Sequence, residues 1–269
     1  MNSTKLNTHF CFLVLLFSIS PAEAMSHADE HDHDPLQSAI QDSSRNPAYA
    51  VRDESRHPYE TLQFFQITPE MHVLELAAGG GWYTEILSPY LRDSGSLTVT
   101  HYDVMAGDYY KRSRNSFDQK VASNPLFKDV IVVTMGSPIE SQSKDLVLTF
   151  RNLHNWLARD TMKATMLEAY NALKPDGFFG VVEHRAPEGS ALKYMKTSGY
   201  VSQSLAIEVA ESVGFSLVAS SEINANSRDT KDHPKGVWTL PPSYRLKNVN
   251  RDQYQAIGES DRMTLLFKK

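Results

Sequence analysis

Short apolar runs alternate with helical patterns of apolar positions along most of this chain. Residues 130–134 are almost all β-branched, and residues 73–76 are a short, mainly apolar run that follows a turn; both patterns are typical of buried strands. Residues 160–173 carry apolar side chains three and four positions apart, as one face of a helix does. The other predicted strands are 97–100, 145–150, 178–183, 215–222 and 263–267, and the other predicted helices are 57–65, 81–91, 109–121 and 203–213. This alternation predicts an α/β fold with a mainly parallel sheet and helices on both faces.

The first 24 residues have the pattern of an export signal. Lys5 precedes an apolar run at residues 10–19, Pro21 ends the run, and residues 22–24 supply the small residues that signal peptidase requires. The run is shorter than the roughly 20 apolar residues that span a bilayer. We therefore predict cleavage after Ala24 and an exported protein, periplasmic or secreted, with no membrane span in its mature part. A retained amphipathic anchor is the alternative.

Composition narrows the classes of partner. Cleavage would remove Cys11, the single cysteine, so a mature chain could form no disulfide and no cysteine-bound zinc site. A net charge of −5 gives no reason to expect nucleic acid as a partner. We expect a small-molecule substrate, and the sequence gives no information on oligomeric state.

The predicted domain begins after a polar segment. Residues 25–45 are acidic and contain His27, His31 and His33, and we expect a linker there, with a metal-collecting tail as the alternative. Residues 46–269 are expected to form one domain. Within it, residues 223–262 would be a long loop or lid between the last two strands.

A strand, a glycine-rich turn and a helix follow one another at residues 73–91. Glycine permits a sharp turn and the close approach of a ligand to the backbone. The loop lacks the third glycine of a dinucleotide-binding fingerprint, since Thr84 stands there, and it lacks the lysine of a P-loop. Pyrophosphate is therefore disfavoured. The carboxylate of Glu75 would instead suit the amino group and ribose hydroxyls of S-adenosylmethionine (SAM).

The pattern Glu75-x-x-x-Gly79-x-Gly81 resembles motif I of class I SAM-dependent methyltransferases. The likeness extends to a little-characterised bacterial branch of predicted, exported methyltransferases through residues 56–62, 79–87, 100–103, 151–154 and 182–186. It covers roughly residues 52–269. The resemblance implies SAM as cofactor and a Rossmann-like, seven-stranded, mainly parallel sheet with a reversed last strand.

The resemblance also implies which residues contact the cofactor. They are Glu75, Ala77, Gly79, Gly80, Gly81, Trp82, Tyr83, His101, Tyr102, Asp103 and Asn152. The chain departs from the superfamily at two of its positions. His101 stands where an acidic residue normally holds the ribose hydroxyls, and Gly136-Ser137 stands where an acidic residue often contacts adenine. These departures favour weak SAM binding or a related ligand.

Histidines at two predicted strand ends are the candidates for catalysis. In open α/β sheets the ligand crevice lies at the carboxyl ends of the strands, which here places His154 and His184 near the substrate. Our hypothesis is that one of them is the base that removes a proton from the methyl acceptor. Arg151 or Arg185 would orient an anionic group. Trp156 would pack against the substrate, with a place in the core as the alternative.

Two classes of function remain open. The first is a SAM-dependent methyltransferase acting on an unidentified small molecule. The second is an exported, non-catalytic protein that keeps the fold and binds a nucleoside-like ligand, because SAM is made in the cytoplasm. A metal site at His154, Glu183 and His184 lacks any local ligand spacing, so we predict none. A serine hydrolase would need a Gly-x-Ser-x-Gly turn, which the chain lacks.

Overall fold

The computed structural model describes Met1 and residues 34–269, and the strands of this part form one seven-stranded sheet. The predicted export signal and the three histidines of the predicted linker lie outside the described residues. The strands are β1 (His72–Leu76), β2 (Ser96–His101), β3 (Ile131–Thr134), β4 (Lys144–Phe150), β5 (Leu173–His184), β6 (Ser216–Ser221) and β7 (Arg262–Lys268).

The strand order is β3-β2-β1-β4-β5-β7-β6. Strands β1 to β5 pair in parallel, whereas β7 is antiparallel to both β5 and β6. This confirms the predicted Rossmann-like fold with its reversed last strand. The order reverses direction between β1 and β4, which is where open sheets of this type bind ligands.

Helices cover both faces of the sheet, as predicted. They are α1 (Pro35–Gln41), α2 (Pro47–Ala50), α3 (Asp53–Arg56), α4 (Pro58–Phe64), α5 (Thr84–Leu91), α6 (Asp108–Ser123), α7 (Leu153–Ala158), α8 (Met162–Ala172), α9 (Leu192–Ser198), α10 (Gln203–Glu211) and α11 (Arg251–Ile257). Alternate side chains of one strand point to opposite faces, so Leu74 joins the core under α7 to α10 and Val73 joins the core under α1 and α4 to α6.

A helix lies ahead of residue 46, where the sequence predicted the domain to begin. Helix α1 lies within the predicted linker, and Asp34 caps it by accepting a hydrogen bond from the backbone of Leu36. Leu36, Ala39 and Ile40 are buried in the core. The linker prediction is therefore wrong for residues 35–41, because three apolar side chains are enough to fix one short helix against an existing core.

Two predicted element boundaries also differ. Helix α5 begins at Thr84 and not at Gly81, since the glycine turn continues to that point. Residues 174–177, which separate the predicted helix at 160–173 from the predicted strand at 178–183, lie inside β5. Pairing with β4 shifts there, from Leu173 opposite Lys144 to Phe178 opposite Leu146.

The segment between β6 and β7 is packed against the domain. It contains α11 and a 3₁₀ turn at Gly236–Thr239. The buried side chain of Asn224 donates hydrogen bonds to Thr61 and Thr264, which ties the segment to α4 and β7. Opening of this segment as a lid remains a prediction. Among the described residues, no helix has the length and apolar character needed to cross a membrane.

Candidate active site

The glycine turn after β1 is held to the neighbouring strand β2. Its Ala77, Gly79 and Gly81 have positive φ angles of 54°, 60° and 80°. The backbone amide of Ala77 donates to the hydroxyl of Thr100 at 2.8 Å, and that of Ala78 donates to the carbonyl of the same residue at 3.1 Å. The left-handed conformation disfavours side chains and therefore explains the glycines at two of these positions.

The three consecutive glycines have different neighbours. A Cβ on Gly81 would lie 3.0 Å from the Phe127 ring, and one on Gly80 would lie 2.6 Å from the hydroxyl of Tyr49. A Cβ on Gly79 would meet nothing closer than the Ala77 carbonyl at 3.9 Å. Gly80 and Gly81 thus allow close packing inside the protein, and Gly79 is the position where a ligand can approach the backbone.

His101, which stands where the superfamily normally has an acidic residue, supports the glycine turn. Its Nδ1 accepts from the amide of Tyr102 and its Nε2 donates to the carbonyl of Gly79, both at 2.9 Å. The ring is buried and stacks on Phe117, and this burial lowers its pKa. With both nitrogens engaged, His101 cannot hold ribose hydroxyls as an acidic residue would. Its predicted contact with the cofactor is therefore corrected to a supporting role.

Three other predicted cofactor contacts point into the protein. Glu75 is buried, accepts a hydrogen bond from Thr84 at 2.6 Å, and has its pKa raised to about 8 by burial. Trp82 donates to a backbone carbonyl and lies 4.6 Å under the guanidinium of Arg56. Tyr83 stacks on Phe150 with ring centroids 3.5 Å apart. These side chains fix the turn to the core. In this arrangement they do not face a space that the cofactor could occupy.

The remaining predicted cofactor residues border the turn. Asn152 donates to the carbonyls of Leu76 at 3.2 Å and Ala77 at 3.3 Å, so its amide holds the end of β1. Tyr102 is half-buried and Asp103 is exposed at the end of β2. These two residues and the backbone around Gly79 are open to a ligand.

An apolar cavity of about 290 Å³ lies next to the ends of β1, β2 and β3. Leu76, Thr100, Met135, Gly136 and Trp156 are among its lining residues. A Cβ on Gly136 would meet nothing within 4 Å, so the second departure from the superfamily leaves open space. Trp156 lines this cavity and not the one that contains His154, and it is buried in the core, so its contact with the substrate stays a prediction.

A second cavity, of about 190 Å³, lies at the ends of β4 and β5. It is lined by Arg151, His154, His184, Val237, Trp238, Pro241, Pro242, Ser243, Glu259 and Ser260. The two predicted catalytic histidines therefore face the same space, with ring centroids 5.3 Å apart. Most of the other lining residues come from the segment between β6 and β7.

Glu183 organises this pair of histidines. Its buried carboxylate accepts from Nδ1 of His154 at 2.9 Å and from the backbone amides of His154 and His184 at 3.3 and 2.7 Å. A carboxylate partner assigns the proton to Nδ1 and leaves Nε2 of His154 as an acceptor. No described residue hydrogen-bonds to that Nε2 atom.

His184 differs from His154 in its surroundings. Its Nδ1 lies 2.5 Å from the hydroxyl of Ser260. Burial lowers its pKa well below the usual value, and the neighbouring His154 and the positive charge of Arg151 lower it further. His184 is therefore a neutral imidazole at physiological pH.

The two arginines that were predicted to contact the substrate lie in different surroundings. The Arg151 side chain lines the second cavity and makes no hydrogen bond or ion pair with a described residue; burial lowers its pKa to about 10, so it stays charged at neutral pH. Arg185 instead forms bidentate contacts with Glu222 and Asp261, which raise its pKa. The prediction for Arg185 is corrected to a structural ion pair.

Sequence reasoning missed several residues of this cavity. Glu259 contacts Arg52 at 2.7 Å across 207 positions of chain, and Ser260 contacts His184 across 76. No local pattern signals such pairs. The convergence of His154, Glu183 and His184, whose potential ligand atoms lie within 4.8 Å of one another, was also invisible to a search for local metal-ligand spacing.

Known proteins with a similar sequence or fold are methyltransferases in most of the cases described below. Residues 74–181 match the family described as a methyltransferase domain. No curated protein matches the chain. Among solved structures, a SAM-dependent methyltransferase from Aquifex aeolicus is 16% identical with a TM-score of 0.55, over 87% of this chain and 98% of that one.

Two further structures share the fold. A putative sarcosine dimethylglycine methyltransferase from Galdieria sulphuraria is 14% identical with a TM-score of 0.54, over 82% of this chain and 86% of that one. The 4+2 cyclase SpnF is 14% identical with a TM-score of 0.56, over 87% and 91%. Likeness at this identity shows the fold alone, and nothing found supports the non-catalytic alternative. The match to a methyltransferase domain over residues 74–181 and the shared fold agree with the resemblance to SAM-dependent methyltransferases that the glycine motif carries.

Proposed function

We propose that the protein transfers a methyl group from SAM to a small-molecule acceptor and that His154 is the general base. The observation that carries this proposal is the pairing of His154 with the buried carboxylate of Glu183 beside a cavity, within a methyltransferase domain. Neighbouring structures described as SAM-dependent methyltransferases support the choice of cofactor.

The residues near the glycine turn fit this cofactor. The backbone around Gly79, with Tyr102 and Asp103, would hold its polar parts, and the apolar cavity beside Gly136 and Trp156 would take the adenine ring. When bound, SAM would supply a sulfonium methyl group for in-line displacement by the acceptor, with S-adenosylhomocysteine as the leaving group. The absence of an acidic side chain at His101 predicts weaker binding of the ribose than the superfamily pattern gives.

His154 has the arrangement of a general base. Its free Nε2 takes the proton from an acceptor hydroxyl, thiol or ammonium, and the Glu183 carboxylate stabilises the imidazolium that results. His184, held neutral, is suited to a hydrogen bond with the acceptor and not to carrying its proton. The walls of the cavity exclude water from the reacting atoms.

Calorimetric titration of the full-length protein with SAM and S-adenosylhomocysteine tests the proposal. We expect binding in the micromolar range, about −8 kcal/mol. Gly79→Ala places a methyl group where a ligand would approach and should weaken binding, whereas Gly189→Ala, also at a positive φ but at a site with open space around it, should not. A folded protein that takes up neither ligand at millimolar concentration would contradict the proposal.

We propose further that the protein is exported and cleaved after Ala24. The charged start, the short apolar run and the small residues before that position support this. Mass spectrometry of the protein recovered from the periplasm or medium should show a mature chain that begins at Met25. A recovered chain that retains Met1 contradicts cleavage.

A further inference from the structure

The second cavity contains more positive than negative charge. The Glu259 carboxylate, which lines this cavity, accepts from Arg52 at 2.7 Å, Arg262 at 3.1 Å and Arg56 at 3.3 Å. Burial would raise its pKa, but these arginines lower it to about 2. One carboxylate thus faces three guanidinium groups before Arg151 is counted.

Several nitrogens of this arginine group have no partner. Nη2 of Arg52, Nη2 of Arg56 and Nε of Arg262 are buried without a hydrogen bond. Arg151 makes none through its side chain with any described residue. Its position at the end of β4 is fixed by its own backbone amide, which donates to the Val182 carbonyl at 2.7 Å. Arg151 is partly exposed where it lines the cavity, so its guanidinium can hydrogen-bond to an anion that enters from outside.

The rest of the cavity defines what that partner resembles. Trp238, Val237, Pro241 and Pro242 form an apolar wall, and the Trp238 ring lies 5.9 Å from that of His154. The imidazoles of His154 and His184 face the same space. The cavity can therefore receive a compact molecule with one anionic end, an apolar body and a nucleophilic atom near His154.

From this geometry we infer that the methyl acceptor carries an oxyanion, a carboxylate or a phosphate, which the Arg151 guanidinium binds while Trp238 packs against the acceptor's apolar part. This inference rests on the proposed function and names its substrate class. The planar guanidinium binds either oxyanion through two parallel hydrogen bonds.

A divalent metal ion is the competing occupant. His154, Glu183 and His184 could offer ligand atoms, but Nδ1 of His154 is bound by Glu183 and Nδ1 of His184 lies against Ser260. A cation in this cavity would also face Arg151, and the charges of Arg56 and Arg262, which reach His184, would repel it further. Repulsion between like charges at short range in a buried site is strong, so the charges favour an anion.

Binding of simple anions to the full-length protein tests the inference. Inorganic phosphate and acetate are titrated calorimetrically, with sodium chloride holding the ionic strength constant. We expect Arg151→Gln to weaken phosphate binding at least about tenfold. Arg112→Gln, which removes the same charge from the exposed face of α6, should leave it unchanged. Equal binding to wild type and R151Q, or no binding to wild type, overturns the inference.

Three controls separate the alternatives. If R151Q does not fold, Arg151→Lys keeps the charge but loses the paired hydrogen bonds, and a several-fold loss of phosphate affinity still supports the inference. If R151Q weakens S-adenosylhomocysteine but not methylthioadenosine, which lacks the amino-acid part, the guanidinium binds the cofactor's carboxylate and the acceptor assignment is wrong. A metal site would give two results: zinc binding that each of His154→Gln and His184→Gln abolishes, and anion binding only after zinc is added. Together these results also overturn the inference.

The failure of the proposed function has a different signature. Phosphate binding that depends on Arg151 in a protein that takes up no SAM or S-adenosylhomocysteine supports an anion site and contradicts the methyltransferase proposal. Binding of SAM or S-adenosylhomocysteine without any anion binding supports the methyltransferase proposal and contradicts the anion site.

Discussion

The two halves of the carboxyl edge of the sheet use their polar side chains in opposite ways. Around the glycine turn, His101, Asn152 and Glu75 form hydrogen bonds within the protein and hold the backbone in place. Around the ends of β4 and β5, the Arg151 side chain and Nε2 of His154 face a cavity and have no hydrogen-bond partner among the described residues. A pattern of polar residues at strand ends therefore marks two things, a rigid support and a reactive surface.

The difference has a physical origin in the backbone. The glycine turn has three residues at positive φ and carbonyls that no regular ladder satisfies, so nearby side chains must supply hydrogen bonds. The strand β5 ends in regular pairing with β7, which satisfies its backbone up to His184. Its last two side chains instead order the cavity, where Glu183 binds His154 and His184 lies against Ser260.

Replacing the proposed base should produce the largest effect. His154→Gln should lower kcat by about 10² to 10⁴ with little change in KM, because the proton acceptor is lost while the cavity keeps its shape. The measurement is release of S-adenosylhomocysteine with a panel of small carboxylates and phosphates as acceptors. His72→Gln, at the amino end of β1, is the matched control and should retain wild-type turnover. Equal turnover in H154Q removes His154 from the mechanism.

A substitution in the glycine turn should lower the stability of the protein without changing its catalytic groups. Gly81→Ala places a methyl group 3.0 Å from Phe127 and 3.1 Å from Phe117 at a φ of 80°. We expect a loss of about 2–4 kcal/mol in the free energy of unfolding, measured in urea. Gly189→Ala has a φ of 74° and nothing within 4 Å, so it should cost about 1 kcal/mol. If the two variants lose the same stability, the packing account of Gly81 is wrong.

A change in the pH dependence of stability is expected from Glu75. The pKa of Glu75 is raised to about 8 from a model-compound value of 4.5, so the folded state holds this proton more tightly than the unfolded state. Its contribution to stability is complete below about pH 4.5 and is lost as the pH rises through 8. Glu75→Gln does not titrate and should gain on wild type by about 1 kcal/mol for each pH unit in that window.

Urea unfolding at a series of pH values measures this difference. Glu211→Gln, at the exposed end of α10, should follow the wild-type curve. A parallel pair of curves for E75Q and wild type would show that Glu75 is ionised in the folded state. It would then be available to a ligand as the sequence first suggested.

Prediction from the sequence succeeded where local patterns carry the information. The aliphatic runs gave the strands, and the neighbouring ends of β4 and β5 brought His154 and His184 together as expected. It failed for Arg185 and for α1. One charged residue looks like another until its partners are known, and a short polar helix has too few apolar positions to show a period.

By itself, the sequence determined the fold, the resemblance to methyltransferases and the strand ends at which chemistry would lie, because these follow from hydrophobic periodicity and one glycine motif. Only the tertiary structure decided which polar side chains face a ligand. It buried Glu75, engaged His101, paired Arg185 with Glu222 and Asp261, and left Arg151 without a partner. The reason is that a side chain's hydrogen bonds depend on groups far along the chain, such as Glu259 and Ser260, whose approach no local pattern encodes.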